Sequence, residues 1–287
     1  MKGKKRFVSN AWLVLALVLS MVVGFILHAE VVRAQAPLGT SPEIPSAVAG
    51  NDRWADGFDL SNGTNGGVYA MVLDGNGHLY VGGGFNAVSG VAANGIAKWD
   101  GTIWSALGTG VDGVVYSIVI DKSGNLYAGG SFTTAGGIPA NHIAKWDGTT
   151  WSAMGTGMDS VVYSLAVDGS GNLYAGGWFT AAGGVDMNYL AKWDGMTWNA
   201  LGKGMDDLVY CLAVDGSGNL YAGGWFTSAG GSAANYIAKW DGTTWSALET
   251  GMDSAVHSIA VDGSGNLYVG GYFTRACYAL LSPSMLQ

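Results

Sequence analysis

Six aromatic side chains stand at the positions where the internal repeats of this sequence differ most from one another. The chain repeats every 47 residues over most of its length. The position after a repeated glycine pair holds Gly84, Ser131, Trp178, Trp225 and Tyr272 in successive repeats. The position after a repeated loop asparagine holds Gly95, His142, Tyr189 and Tyr236. Large aromatic rings near a rim stack on sugar rings or grip a peptide. We therefore predict ligand binding by Trp178, Trp225, Tyr272, His142, Tyr189 and Tyr236; the alternative is that they only fill space between repeats.

A second set of candidates is acidic and lies in the loops that join successive repeats. It consists of Asp112, Asp159, Asp206 and Asp253, with Asp207 beside the third. A ring of carboxylates at one face attracts a cation or a basic peptide. The alternative is that these side chains only solvate the loops, and this is the interpretation we favour.

A motif of the form Asp-x-x-Gly-Asn/His-Leu-Tyr recurs in five repeats, from Asp74–Tyr80 to Asp262–Tyr268. Its invariant glycine, such as Gly171, is typical of a hairpin loop that needs a positive φ angle, with the aspartate folded onto backbone N–H groups. A calcium loop is the alternative, but such a loop needs ligands at alternate positions and a closing glutamate. We predict a structural turn.

Candidates for catalysis are few. The four histidines are His28, His78, His142 and His257. The first lies in the N-terminal segment and the others occupy different repeat positions, so they suggest neither a metal cluster nor a nucleophile–base pair. Cys211 and Cys277 belong to no zinc-binding pattern. We predict no catalytic residues, no metal site and no cofactor.

The repeats also supply the strands that must position these residues. Each contains a hydrophobic strand, a second strand that ends in Gly-Gly, a third that ends in Lys-Trp and a fourth that holds another tryptophan. An Asp-Gly step between the last two strands predicts a type I′ hairpin. Units of roughly 40 to 50 residues with four antiparallel strands are typical of propeller blades. We expect the tryptophan pairs, such as Trp146 and Trp151, to lie in the core of each blade.

The spacing also predicts the number of blades. The complete units run Val68–Leu107, Val115–Met154, Val162–Leu201 and Val209–Leu248. A fifth unit begins at Val256 and loses the pattern after Thr274. We predict an all-β propeller of four-stranded antiparallel blades, with about five 47-residue repeats and an incomplete last blade. Either a strand around Trp54 joins the last blade to close a five-bladed ring, or the units form a truncated arc of a larger propeller.

These features resemble the kelch repeat of β-propellers. The resemblance spans Val68 to Phe273 and rests on the strand ending in Gly-Gly, the aromatic-Asp step and the tryptophan that opens the fourth strand. The sequence departs from kelch units in having tryptophan, as at Trp146, where they usually have tyrosine, and in its short link to the second aromatic residue. The chain is also similar to repeat propellers of exported bacterial surface proteins. The resemblance implies the propeller fold, and such units occur with many functions.

The N-terminus has the features of an export signal. Basic residues precede the apolar run Ala11–Leu27, and small residues follow around Ala34. We predict that residues 1–36 are a signal peptide of a protein that is secreted or held at the extracellular surface. The alternative is an uncleaved membrane anchor formed by residues 11–27. The remaining predicted segments are a proline-containing linker at 37–51, the kelch-like propeller at 52–274 and an atypical tail at 275–287.

The charge of the chain excludes some partners. Removal of residues 1–36 leaves 8 basic and 20 acidic residues, a net charge of −12. Such a surface repels nucleic acid and anionic lipid, so we expect membrane contact only through an N-terminal anchor. The sequence favours an exported, non-enzymatic scaffold that binds protein or carbohydrate at the cell surface. The alternative is a fragment of an extracellular polysaccharide hydrolase or lyase with its site in the top-face loops.

Overall fold

A computed structural model describes residues 63–276 of the chain. Within this range the regular secondary structure consists of β-strands alone. Two parts of the chain lie outside the described residues. The first, residues 1–62, contains the predicted signal segment, the predicted linker and the predicted strand around Trp54. The second, residues 277–287, contains Cys277 and the rest of the predicted tail.

The strands fall into five consecutive groups that match the predicted repeats, and each group is called a blade below. Blade 1 contains β1 (Gly67–Leu73), β2 (Leu79–Gly84), β3 (Ala87–Val88), β4 (Val91–Ala92), β5 (Ile96–Trp99) and β6 (Trp104–Ala106). Blade 2 contains β7 (Val115–Ile120), β8 (Leu126–Gly130), β9 (Thr134–Ala135), β10 (Ile138–Pro139), β11 (Ile143–Trp146) and β12 (Trp151–Ala153). Blade 3 contains β13 (Val162–Val167), β14 (Leu173–Gly177), β15 (Ala181–Ala182), β16 (Val185–Asp186), β17 (Leu190–Trp193) and β18 (Trp198–Ala200). Blade 4 contains β19 (Val209–Val214), β20 (Leu220–Gly224), β21 (Ser228–Ala229), β22 (Ser232–Ala233), β23 (Ile237–Trp240) and β24 (Trp245–Ala247). Blade 5 contributes β25 (Val256–Val261) and β26 (Leu267–Gly271) to the described residues.

Each of the first four blades is a four-stranded antiparallel sheet, as the sequence predicts. Blade 2 has the order β7-β8-β11-β12, and the other three complete blades repeat it. Ala128 pairs with Ile118 on one side and with Ala144 on the other, so small residues fill the middle of the sheet. The first strand of each blade packs against the first strand of the next, from β1 through β7, β13 and β19 to β25. These five are called the inner strands below.

The hairpin between the last two strands differs from the predicted type I′ turn. Trp146 pairs directly with Trp151, so the connection contains four residues rather than two. Gly148 has a φ angle of 101°, but the aspartate before it does not adopt positive φ. Instead, the Asp147 carboxylate accepts the backbone N–H groups of Thr149 and Thr150 at 2.8 Å. The side chain of the aspartate, rather than a second left-handed residue, closes this loop.

A small hairpin in the loop between the second and third strands of the blade is an element that the sequence did not predict. In blade 2, β9 pairs with β10 through Ala135 and Ile138. Gly136 and Gly137 between them have φ angles of 61° and 82°, which is the requirement of a type I′ turn. The turn type predicted for Asp-Gly is therefore found at the Gly-Gly of this loop.

The glycine pair at the end of the second strand allows close packing between blades. A Cβ atom on Gly176 would lie 2.6 Å from Cγ1 of Val209 on the inner strand of the next blade. A Cβ atom on Gly177 would overlap the carbonyl oxygen of Val161. The neighbours of this pair are therefore a valine side chain and a backbone carbonyl rather than a tryptophan ring. The rings instead approach another glycine, since a Cβ atom on Gly136 would lie 2.8 Å from Cδ1 of Trp151.

The tryptophan pairs join neighbouring blades as well as packing within one. The rings of Trp146 and Trp151 lie 5.4 Å apart and are tilted by 52°. Trp151 is 7% exposed, and its indole N–H donates to the carbonyl of Leu107 in the preceding blade at 2.8 Å. The same bond recurs from Trp198 to Met154 at 3.0 Å and from Trp245 to Leu201 at 2.9 Å. The predicted core position is confirmed for these three indoles.

Candidate binding site

The two variable aromatic positions lie side by side at one end of each blade. The backbone N–H of Trp178 donates to Val161, just before the first strand, at 2.9 Å. The backbone N–H of Tyr189 donates to Phe179, next to Trp178, also at 2.9 Å. This end, where the first strand begins, the second ends and the third begins, is called the loop face below. Because the bonds recur in blade 4, Trp225 and Tyr236 lie on the same face.

Three of the predicted ligand-binding residues are exposed on the loop face. Trp178 is 57% exposed, Trp225 46% and Tyr272 74%, although each has a large apolar ring. They occupy the same repeat position in three consecutive blades. The exposure of large apolar rings to water is unfavourable, and exposed aromatic residues on neighbouring units are typical of binding sites.

The other three predicted residues, His142, Tyr189 and Tyr236, are half-buried and have an unusual backbone. Their φ angles are 65°, 68° and 65°, the left-handed region, where blade 1 has Gly95 at 70°. A non-glycine residue in this region costs roughly 1–2 kcal/mol. The ring of His142 also contacts the Gly130 carbonyl through Nδ1 at 3.3 Å, and burial lowers the pKa of the imidazole despite that contact. Tyr189 and Tyr236 pack against the blade cores, which is the space-filling role.

The four loop carboxylates are held by hydrogen bonds within their own blades. In blade 2, Oδ1 of Asp112 accepts the backbone N–H groups of Thr133 and Thr134, and Oδ2 accepts the hydroxyl of Thr133 at 2.6 Å. Burial opposes the charge, but these bonds outweigh it and lower the pKa of Asp112 to about 2. Asp159, Asp206 and Asp253 make the same three bonds. Each carboxylate thus fixes the loop after the variable position. That position is aromatic in the blades of Asp159, Asp206 and Asp253.

The Asp-x-x-Gly-Asn loops at the opposite end of the inner strands are closed turns. Gly171 has a φ angle of 87°. Oδ1 of Asp168 accepts the backbone N–H groups of Ser170 and Asn172 at 2.9 Å, and Oδ2 accepts the side chains of Asn172 and Tyr174. Burial and this carboxylate raise the pKa of Tyr174 to about 12. Donors occupy both oxygens, so the arrangement is the predicted structural turn.

A column of aromatic rings along the inner strands is a feature that was not predicted from the sequence. Tyr69, Tyr116, Tyr163, Tyr210 and His257 take the same position in the five blades, and their ring centroids are successively 5.7, 5.7, 5.6 and 4.5 Å apart. This set is called the aromatic column. The signal in the sequence is the Val-Tyr step that opens the first four repeats, with Val256-His257 in the fifth.

The exposed aromatic residues of the loop face stand next to the aromatic column. The ring of Tyr272 meets His257 edge-on at 4.6 Å. The side chain of Trp225 interacts with the hydroxyl of Tyr210. Burial raises the pKa of Tyr210, and desolvation lowers that of His257, so both rings are neutral at physiological pH. The loop face and the inner strands therefore share one continuous aromatic surface.

An axial pocket of about 180 Å³ lies among the inner strands. All five inner strands line it, and the column contributes Tyr116, Tyr163 and His257. Residues one step further along the strands, including Ser117 and Ser164, complete the lining. The described part of the chain contains no group of three or more His, Cys, Asp or Glu side chains able to hold a metal ion. Over the same residues, no helix has the length and apolar character needed to cross a membrane.

No protein-family model and no curated protein matches this sequence. Among solved structures, U3-55K is similar with 13% identity and a TM-score of 0.51, over 69% of this chain and 56% of that one. The WD40 repeats of RRP9 match with 13% identity and a TM-score of 0.49 over the same shares of the two chains. The extracellular domain of BT4673 from B. thetaiotaomicron matches with 17% identity and a TM-score of 0.48, over 71% of this chain and 26% of that one.

The chain has a β-propeller fold. The repeated four-stranded sheets carry this conclusion together with the similarity to U3-55K. The chain spans about a quarter of the BT4673 domain, as the 26% coverage shows. At these identities the similarities concern the fold of the propeller and not its activity. They do not distinguish a kelch-like propeller from other types, so the kelch-like type remains a prediction, as do the ligand-binding roles of the loop-face residues.

Proposed function

We propose that the protein is an exported, non-enzymatic β-propeller scaffold that binds a protein or a carbohydrate at the cell surface through its loop face. The observation that carries the proposal is the exposure of Trp178, Trp225 and Tyr272 at one repeat position of three consecutive blades. Their equivalents in the first two blades are Gly84 and Ser131, so the propeller does not need a large ring there. Export rests on the predicted signal segment at residues 1–36.

The loop face supports binding because its aromatic residues are held in place. Asp206 fixes the turn that follows Trp225 through bonds of 2.7 to 2.8 Å to Thr227 and Ser228. Tryptophan and tyrosine lose little conformational entropy on binding and supply most of the energy at many interfaces. The acidic balance of the chain makes nucleic acid an unfavourable partner.

The test is binding by the full chain and by two alanine variants. The unmodified protein is screened against a glycan array and a peptide display library, and affinities for the retained ligands are measured by calorimetry. We expect Trp178→Ala and Trp225→Ala each to lower the affinity at least tenfold. Met196→Ala is the matched control, because Met196 is 84% exposed but lies in the Asp-Gly loop between β17 and β18. Unchanged affinity in both tryptophan variants would refute the loop face as the site.

The same screen tests the enzyme alternative. Release of shortened oligosaccharides from a retained glycan would identify the polysaccharide hydrolase or lyase. Retention with no product supports the scaffold.

A further inference from the structure

The axial pocket offers hydrogen-bonding groups, and the described residues that line it include no Asp, Glu, Lys or Arg. The Oγ atoms of Ser117 and Ser164 accept the backbone N–H groups of Leu165 and Leu212 in the next blade at 3.0 Å. Each hydroxyl keeps a proton to donate. Nε2 of His257 is buried and has no hydrogen-bond partner among the described residues. Nε2 has almost no accessible surface in the pocket, so the groups offered to a ligand are the serine hydroxyls and the aromatic rings.

The size of the pocket limits what it can hold. Its volume of about 180 Å³ is smaller than the roughly 300–1,000 Å³ of sites for drug-sized ligands. The pocket therefore has room for a single ring or a single side chain. Its aromatic walls suit the C–H face of a ring, and its serine hydroxyls suit a ligand that has polar atoms around its edge.

Two other occupants fit the chemistry of the pocket less well. A cation would lose its hydration without meeting a carboxylate in the lining, and the weak attraction of a tyrosine face does not offset that loss. An apolar peptide side chain would make no hydrogen bond with the hydroxyls of Ser117 and Ser164. An uncharged ring that carries hydroxyl groups avoids both costs.

We propose that the axial pocket is a subsite for one uncharged sugar ring of a carbohydrate ligand, walled by the rings of Tyr116, Tyr163 and His257. The inference rests on the proposed function and deepens it, because it commits the ligand of the loop face to a neutral carbohydrate. The exposed Trp178 and Trp225 then bind further rings of the same chain, and the pocket receives one residue of it.

The aromatic column itself supplies matched variants for the test. His257 stands where the other four blades have tyrosine. His257→Tyr therefore keeps an aromatic ring that this position already accommodates, and it removes the imidazole from the pocket. Tyr69→His makes the reverse exchange at the other end of the column, at a residue that does not line the pocket.

The experiment uses the full chain and an array of neutral and acidic oligosaccharides, with tetramethylammonium and the peptide library as competing probes. We expect retention of a neutral oligosaccharide, an affinity at least tenfold lower in His257→Tyr and an unchanged affinity in Tyr69→His. In the unmodified protein, the NMR signals of the His257 ring shift when that oligosaccharide is added. Urea unfolding checks that both variants are folded, and the NMR titration tests the contact without any variant.

The outcomes separate this inference from the proposed function. If a neutral oligosaccharide binds through Trp178 and Trp225 but His257→Tyr keeps full affinity and the ring signals stay fixed, the loop face is the site and the pocket is not a subsite. If only acidic glycans, tetramethylammonium or peptides bind, the neutral-sugar subsite is wrong, whatever the tryptophan variants show. If no ligand depends on the tryptophans, the proposed function fails as well.

Discussion

At the scale of single residues, the same residue type has different roles at different repeat positions. The tryptophans that recur in every complete blade are structural, because Trp151, Trp198 and Trp245 donate to the preceding blade. The tryptophans that do not recur, Trp178 and Trp225, are exposed. Comparison of the repeats separates these two classes from the sequence alone. The indole hydrogen bonds were not predictable, because donor and acceptor are 44 residues apart.

Removal of one indole N–H should destabilise the propeller. Trp198→Phe leaves the Met154 carbonyl, which accepts the indole at 3.0 Å, without this partner. We expect the free energy of unfolding to fall by about 0.5–1.5 kcal/mol, because the carbonyl loses the indole but keeps the bond from the Gly157 N–H. Urea unfolding followed by tryptophan fluorescence measures the change. Trp193→Phe changes the half-buried member of the same pair and should lower the free energy of unfolding by less. An equal loss in both variants would assign the effect to ring size instead.

At the scale of elements, local sequence determines the strands of each blade, and glycine allows neighbouring blades to pack closely. The first glycine of each pair brings the second strand close to the inner strand of the next blade, as Gly176 does with Val209. Two local expectations about the turns differ from the structure. The Asp-Gly hairpin is a four-residue loop closed by its aspartate, and the Gly-Gly loop forms an extra hairpin. Both segments contain positive φ angles, and side-chain hydrogen bonds decide between the turn types.

A methyl group at the glycine pair should disturb the contact between blades. Gly176→Ala places Cβ 2.6 Å from Cγ1 of Val209 and 3.3 Å from Cγ of Leu212. We expect a loss of about 1–3 kcal/mol in the free energy of unfolding, because the core has no room for the methyl group.

Gly216→Ala is the control for this substitution. No atom lies within 4 Å of the position its Cβ would take, and its φ angle is not in the left-handed region. It should leave stability unchanged or raise it by about 0.4–1 kcal/mol. Thermal unfolding compares the stability of the two variants. A Gly176→Ala protein as stable as the control would contradict tight packing at the contact between blades.

At the scale of the whole molecule, carboxylates recur in every described blade with hydrogen-bond donors around them. Hydrogen bonds from two threonines lower the pKa of Asp112 to about 2 against the effect of burial. Backbone N–H groups of Thr197 and Met196 lower that of Asp194 to about 2. The aspartates of the Asp-x-x-Gly loops have pKa values lowered in the same direction, and the five are Asp74, Asp121, Asp168, Asp215 and Asp262.

Stability should therefore fall in acid. Between pH values of about 2 and 4 the unfolded chain, with aspartate pKa values near 3.9, binds more protons than the folded protein. The contribution of these carboxylates is complete above that interval and is lost as the pH decreases through it. Urea unfolding from pH 7 to pH 2 measures the decrease, and Asp206→Asn should reduce its slope. A free energy of unfolding that stays constant down to pH 2 would contradict the assignment.

The sequence by itself determined the repeat, the four main strands of each complete blade, the positive φ angle of the glycine in each Asp-x-x-Gly loop and the propeller fold. Each follows from a pattern of residues that are close in the chain and repeated every 47 residues. It also singled out Trp178, Trp225 and Tyr272, since comparison of repeats separates variable positions from structural ones. The tertiary structure decided the aromatic column, the axial pocket and the unpaired nitrogen of His257. These depend on where one blade packs against the next, and residues 47 positions apart meet only when the inner strands are side by side.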